Sequence, residues 1–408
     1  MNVDIRYGSG ILSIPVPSNS TVDFIGKQDG LQFPVVGERA FKTAFLQSDG
    51  PSYLSHESPL VVVNDGFRNT PTSIVLEWLK NLAPGFLKRA RFLISTGTHT
   101  PPTLLHLQSI FGPLYEDIKD RVFIHDCRTS DMVLVGQDYF KHNFYINSLA
   151  ASADKTIIVG SVEPHYFAGF TGGRKSFFPG LTDFATIERN HNLANSMEAR
   201  PLRLKGNPVA EHLQSLMESF RSSNVLSIQA VIDSNEQMVG CFVNDMLASF
   251  SQAVDLALEV YAHEVSKPYD LVICELYPPL DANLYQAQKG LENAQAGVVD
   301  GGNIIVAAAC QEGIGSEHFF NLALQWDKER NQARDGISRF GSHKLSRVNL
   351  LSRRIGIYLH SDLDDDIVRQ VFYEPIHDIT AFISALSENK KLRIAVVRNA
   401  GHTVLRVD

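Results

Sequence analysis

Between Glu163 and Gly180 the chain reads EPHYFAGFTGGRKSFFPG, placing a histidine, an arginine–lysine pair and four glycines within eighteen residues. Glycine lets main chain approach a group that a Cβ atom would block. Gly172 and Gly173, with Arg174 beside them, therefore suggest backbone shaped around a ligand. Lys175 can supply a charge for a phosphate or an amine for a covalent bond. Histidine as a residue type titrates near neutrality, so His165 suits proton transfer. The segment predicts an enzyme. It does not spell a P-loop, because Arg174 stands where G-x-x-x-x-G-K-[ST] requires its second glycine, and the segment starts several residues after its strand.

Other reactive residues cluster in the same way. Asn64-Asp65-Gly66-Phe67-Arg68 follows an apolar run. Arg68 offers a planar fork for a carboxylate or phosphate; Asp65 either orients it or forms a local ion pair with it. Thr96-Gly97-Thr98-His99 follows a second run, and His99 is either structural or a proton shuttle. His191 lies in Glu188-Arg-Asn-His-Asn without a second histidine at zinc-site spacing. Tyr285, Gln286 and Lys289 fall near one face of a helix, where Lys289 is either solvated or functional.

These clusters need elements to hold them. Strand-length apolar runs occur at Leu60–Val63, Arg91–Ser95, Val122–His125, Thr156–Gly160, Leu226–Ile232, Leu271–Glu275, Ile304–Ala308, Ile355–His360 and Leu392–Val397. Near-continuous Val, Ile and Leu predicts strands of a parallel sheet buried on both faces. Helical patterns lie between them at Thr72–Leu82, Pro102–Ile110, Pro208–Phe220, Ala248–Val265 and His377–Ser387. The alternation predicts an α/β protein with two layered domains and mostly parallel sheets. In such sheets ligands bind beyond the carboxyl ends of the strands, where three of the polar clusters fall. The break at Ser266-Lys-Pro-Tyr-Asp sets the expected domains: 1–266, completed by a last strand within 391–408, and 267–390.

Composition narrows the function classes. A chain of 408 residues with 44% hydrophobic and 20% charged residues is globular and too long for one ordinary core. Its net charge of −8 argues against nucleic-acid binding. No apolar run is long enough to span a membrane, and the start lacks the order of a signal peptide. Cys127, Cys241, Cys274 and Cys310 lie too far apart for a zinc or redox motif, so buried thiols and a cytoplasmic location are expected.

Taken in order, these residues resemble the lactate racemase (LarA-like) family, the nickel-pincer-nucleotide racemases and epimerases of 2-hydroxyacids. The likeness covers nearly the whole chain. It rests on Asp65-x-x-Arg68, Gly97-x-His99, the block from His165 to Gly-Gly-Arg-Lys-Ser, Asn190-His191, and Tyr-Gln-Ala-x-Lys-Gly from Tyr285 to Gly290. The resemblance implies a pyridinium-3-thioamide-5-thiocarboxylic acid mononucleotide bound covalently at Lys175, its nickel ligated by His191. It implies reversible hydride transfer to that group, with His99 and His165 as acid and base. Arg68, supported by Asp65, would bind the substrate carboxylate, and Gln286 and Lys289 would reach in from the second domain, so that the active site lies in the interdomain cleft. Expected partners are the enzymes that make the cofactor, and an oligomer is permitted.

The pattern departs from the lactate enzyme in having Phe67 beside Arg68 and Thr100 after His99. It also lacks a tryptophan near His343, Trp326 falling too early. A larger or more polar acid, such as a sugar acid, is as well matched as lactate. The rival readings are a hydrolase or lyase acting on a small carboxylate without the pincer, and a non-catalytic carboxylate-binding homologue.

Overall fold

Valine, isoleucine and leucine in unbroken runs have no solvent face to offer, so each such strand must be covered on both sides. A computed structural model describes residues 1–26, 33–66, 68–220, 224–326, 340–388 and 390–407. Phe67 lies outside the described residues. The chain divides into two units, Met1–Leu31 with Tyr261–Asp408, and Gln32–Val260. Its strands are, in order, β1 (Asn2–Tyr7), β2 (Gly10–Pro15), β3 (Thr21–Ile25), β4 (Leu60–Asn64), β5 (Arg91–Ser95), β6 (Val122–Ile124), β7 (Met132–Gln137), β8 (Asn143–Asn147), β9 (Thr156–Ser161), β10 (Pro164–His165), β11 (Gly169–Phe170), β12 (Val225–Ile232) and β13 (Met238–Asp245). They continue with β14 (Ala262–Val265), β15 (Tyr269–Glu275), β16 (Val298–Ala307), β17 (Gly356–His360), β18 (Glu374–Pro375), β19 (Arg393–Val397) and β20 (Val404–Val407).

In the unit Gln32–Val260 the central sheet runs β13-β12-β9-β4-β5-β6. All neighbours are parallel except β12 with β13. The strands alternate between two cores. Val61 and Val63 face a layer with Phe41, Phe45, Leu76 and Leu79. Leu60 and Val62 face Phe177, Phe178, Leu213 and Leu216. The chain leaves β4 towards β5 and β6, then returns to place β9 on the other side of β4. The carboxyl ends of β4 and β9 thus flank the point where the winding reverses, where an open α/β sheet leaves a crevice.

The other unit repeats the plan with β18-β17-β16-β15-β19-β3, every neighbouring pair parallel. Val272, Cys274, Ile304 and Val306 face helices carrying Leu284, Leu291, Leu345 and Val348. Leu271, Ile273 and Ile305 face Ile379, Ile383 and the β1–β2 hairpin through Val3, Ile5 and Ile14.

The expected α/β class with mostly parallel sheets holds, but the exchange between domains runs the other way. The last apolar strand does not return to the first sheet: β19 pairs with β15 on one side and with β3 on the other, Ile394 opposite Val22. It is the amino-terminal segment that crosses over. The boundary also lies earlier than Ser266, because the long helix ends at Tyr261 and Ala262–Val265 pair with Val404–Val407. A four-residue extension of a helix cannot be told from a short strand by periodicity. The hairpins β1–β2 and β7–β8 and the antiparallel β13 add to the strands expected from the apolar runs. Among the described residues no helix is long and apolar enough to cross a membrane.

Removing residues 1–26 should strip β3 from β19 and uncover Leu271, Ile273 and Ile305. The expected loss exceeds the roughly 2–5 kcal/mol of a single large core truncation. Limited proteolysis mapped by mass should find 261–407 newly sensitive and 33–260 still protected; equal protection in both units contradicts this arrangement.

Candidate functional site

Three strand ends deliver the polar clusters to one place. β4 leads into Asp65 and Arg68, β5 into His99, and β9 into Glu163 and the short β10–β11 hairpin in which His165 opposes Gly169. Hydrogen bonds lock the ends together. Ser176 Oγ donates to Asn64 Oδ1 at 3.2 Å, Asn64 Nδ2 to Thr70 Oγ1 at 2.9 Å, and Thr70 Oγ1 lies 2.8 Å from Ser161 Oγ. Ser95 Oγ donates to the Ser176 carbonyl at 2.7 Å, and the Gly97 amide to the Gly180 carbonyl at 3.0 Å. The loop of His99 and the turn of Lys175 are therefore tied to each other by hydrogen bonds.

Lys175 is half-buried in the short helical turn Gly173–Ser176. Its Nζ lies 3.4 Å from His165 Nε2 and 5.7 Å from the centre of the Phe167 ring. Burial, then the nearby charges of Arg68 and Arg174, push its pKa well below the usual lysine range. The imidazole supports the same protonation state. His165 Nδ1 accepts from the amides of Phe167 and Ala168 at 3.4 and 3.2 Å. Those amides can only donate, so the ring proton sits on Nε2, on the side of the Lys175 amine. An uncharged lysine amine is a nucleophile.

The second histidine has the opposite tautomer. His99 Nδ1 is 2.5 Å from Asp65 Oδ2, and the Asp65 carboxylate is buried while His99 is exposed. The Nδ1 proton points at the acid, leaving the Nε2 lone pair as a base. This revises the expected task of Asp65, whose carboxylate meets His99. The acid facing Arg68 is Glu163, at 3.4 Å from Nη1. Glu163 was visible as a polar residue after a strand, but nothing in its spacing assigned it to Arg68.

His191 lies in the helix Phe184–Asn192. Its Nδ1 donates to the Ile187 carbonyl at 2.9 Å, and its ring packs edge-on against Phe167 with centroids 5.1 Å apart. Burial is the main cause of its lowered pKa, about 3. In a neutral imidazole whose Nδ1 is committed to a carbonyl, the ring lone pair is on Nε2. Phe167 thus touches both His191 and the amine of Lys175.

The glycines have a different reason from the one their spacing suggests. A Cβ on Gly172 would sit 2.6 Å from Gln229 Oε1, Ser161 O and Val162 Cγ2, and one on Gly173 would meet the Phe250 ring at 2.7 Å. Both residues have positive φ, +73° and +51°. They are small because protein packs against them. Arg174 also turns inward: it is buried, stacks on Phe250 at 4.7 Å and donates to the Ala210 carbonyl at 3.5 Å. Gln229, fully buried, accepts the Gly173 amide at 2.8 Å. A lone glutamine inside the apolar run Val225–Ile232 was the available signal for it.

Tyr285, Gln286 and Lys289 are half-buried residues of the other unit, in the helix Leu284–Ala294 capped by Asn283. Beside them is a residue that periodicity did not distinguish. Lys344 is buried, donates to the Tyr285 carbonyl at 2.9 Å and lies 3.8 Å from the centre of its ring. Burial, reinforced by Lys289, lowers its pKa to about 7. About one turn on from Lys344, Arg347 grips Glu292 at 2.7 and 2.6 Å.

Residues 7–201 match the lactate racemase N-terminal domain and residues 264–346 the lactate racemase C-terminal domain. A lactate racemase of Thermoanaerobacterium thermosaccharolyticum is 30% identical over 98% of this chain and 95% of its own length. The chain belongs to the lactate racemase family. It is an enzyme of the isomerase class. A lactate racemase of Lactiplantibacillus plantarum is 34% identical over 65% of this chain and 63% of its own. The lactate racemase apoprotein from T. thermosaccharolyticum superposes with a TM-score of 0.85 at 26% identity, covering 100% of both chains. A Thermotoga maritima protein at 15% identity shares the fold, with a TM-score of 0.66 over 93% of this chain and 100% of its own.

Two substitutions test this packing. Gly172→Ala should cost about 2–4 kcal/mol from positive φ and overpacking. Gly97→Ala should cost only about 1–2 kcal/mol, since nothing lies within 4 Å of its Cβ position. Equal losses in urea unfolding would contradict the contacts around Gly172.

Lys344 gives a pH signature. Its folded pKa lies below the unfolded value, so between pH 7 and about 10 the unfolded chain holds a proton the folded one lacks and stability rises with pH. Relative to Lys344→Met, the wild-type urea midpoint should climb across that window; parallel profiles would show that the amine is not buried uncharged.

Proposed function

We propose that this chain inverts C2 of a 2-hydroxyacid, as a racemase or epimerase, using a nickel-pincer nucleotide joined to Lys175. One observation carries the reading: the Lys175 amine lies 3.4 Å from the His165 imidazole and shares the Phe167 ring with a second imidazole, His191, whose Nδ1 donates to the Ile187 carbonyl. The donor set fits the group. Among the described residues no three of His, Cys, Asp and Glu are placed to share a metal ion. A nucleotide that brings its own sulfur and carbon donors asks the protein for a single ligand. Lys175 would carry the nucleotide and His191 would bind its nickel. When bound, the group supplies an acceptor that takes up the C2 hydrogen with its electron pair and returns it to either face.

The remaining work falls to this chain's own side chains. Arg68 binds the carboxylate with its fork and holds C2 while its configuration changes. His99 takes the hydroxyl proton at Nε2, and Asp65 stabilises the imidazolium that results. His165 presents Nε2–H from the other direction. To deliver that proton it must first gain one at Nδ1, so the long contacts from the Phe167 and Ala168 amides must yield. Two imidazoles are required because each configuration turns its hydroxyl to a different side. Tyr285, Gln286 and Lys289 are assigned to substrate or cofactor contacts in the same reading. A cytoplasmic location and the cofactor-making enzymes as partners belong to it too.

Lactate is the acid named for the two relatives, and the missing tryptophan match widens the choice. Protein made together with the cofactor-making enzymes should carry a mass increment at Lys175 and about one nickel per chain. Lys175→Ala should abolish turnover completely, and Asp65→Asn should lower kcat about 100-fold, read by chiral analysis of lactate, malate, aryl-lactates and aldonic acids. Active protein without nickel or adduct overturns the reading, and turnover that survives Lys175→Ala favours a histidine-dependent hydrolase or lyase.

A further inference from the structure

Behind the helix that carries His191 lies a buried polar relay with no part in the chemistry above. The Asp138 and His212 side chains are both fully buried, His212 Nε2 donating to Asp138 Oδ2 at 3.1 Å. The other ring nitrogen, Nδ1, accepts from Asn190 Nδ2 at 3.1 Å. The same amide nitrogen donates to the Val209 carbonyl at 3.2 Å. Asp138 Oδ1 accepts the His142 amide at 2.9 Å, and Arg189 Nε approaches Oδ2 at 3.5 Å. Asn190 is the residue immediately before His191.

An apolar contact would join the helices Phe184–Asn192 and Pro208–Phe220 with less desolvation, since a buried carboxylate must be paired and bonded to be tolerated. Asn190 even leaves its Oδ1 without a donor among the described residues, at a cost of roughly 1–3 kcal/mol. What the relay adds is direction. Both donor sites of one amide are aimed, so the last turn of the helix can neither rotate nor slide along Pro208–Phe220. The groups that orient a metal-binding imidazole set its affinity.

We propose that Asp138, His212 and Asn190 are positioning residues that hold the turn of His191 so that Nε2 stays aimed at the nickel of the tethered nucleotide. The inference rests on the cofactor reading above. Its test uses holoenzyme made with the cofactor-making enzymes, measuring the Lys175 adduct by intact mass and the rate of nickel loss to a chelator. His212→Leu and Asn190→Ser should keep the adduct and the circular dichroism of wild type while losing nickel about tenfold faster. His212→Gln can still donate to Asp138 and accept from Asn190, and should stay within about twofold of wild type. If His212→Leu fails to fold, the nickel-loss rate of Asn190→Ser decides the matter. Folded, adduct-bearing variants that release nickel at the wild-type rate overturn the relay alone. Wild type lacking both adduct and nickel overturns the cofactor reading itself.

Discussion

A lysine amine whose pKa is pushed well below its ordinary range is the constraint around which the unit Gln32–Val260 is built. A lysine prefers water and a proton. At Lys175 both are withdrawn, by partial burial and by the charges of Arg68 and Arg174. The tautomer of His165 favours the uncharged state, because its Nδ1 is filled by two backbone amides and its Nε2 proton lies on the side of the amine. Electrostatics and hydrogen-bond geometry, which are independent arguments, thus both disfavour the charged amine.

That state is kept by a scaffold whose rigidity comes from close packing. The turn bearing Lys175 is pressed against Gln229, Ser161 and Phe250, which is why Gly172 and Gly173 cannot carry side chains. Arg174 makes its contribution from inside the core: as a guanidinium stacked on Phe250, it keeps positive potential near Lys175 without competing for a ligand. The two acids at the strand ends divide the labour. Asp65 fixes which nitrogen of His99 is basic, and Glu163 faces the fork of Arg68. On the proposed reading this gives a base, a carboxylate clamp and a proton donor around one tethered group.

Much of this was legible beforehand. Runs such as Leu60–Val63 and Thr156–Gly160 announce buried parallel strands because no residue in them tolerates water, and the helices Thr72–Leu82 and Pro208–Phe220 begin and end where their periodicity predicts. The reactive residues could be read because the chemistry restricts their types and because polar clusters stand directly behind apolar strands. Asp65 could not be matched to its partner. Spacing places it near Arg68, whereas the partner its carboxylate orients, His99, is decided by which strand lies next to β4.

The sequence by itself determined the fold class, the positions of most strands, and the candidates His99, His165, Lys175 and His191, since each follows from local composition or from residue order. Only the tertiary structure decided which sheet the end strands join. It alone assigned Glu163 to Arg68, showed the glycines to be sites of protein packing, and buried Lys344 over Tyr285. Each of these depends on contacts between residues far apart in the chain. Local periodicity says that a side chain will be buried, but not what it will be buried against.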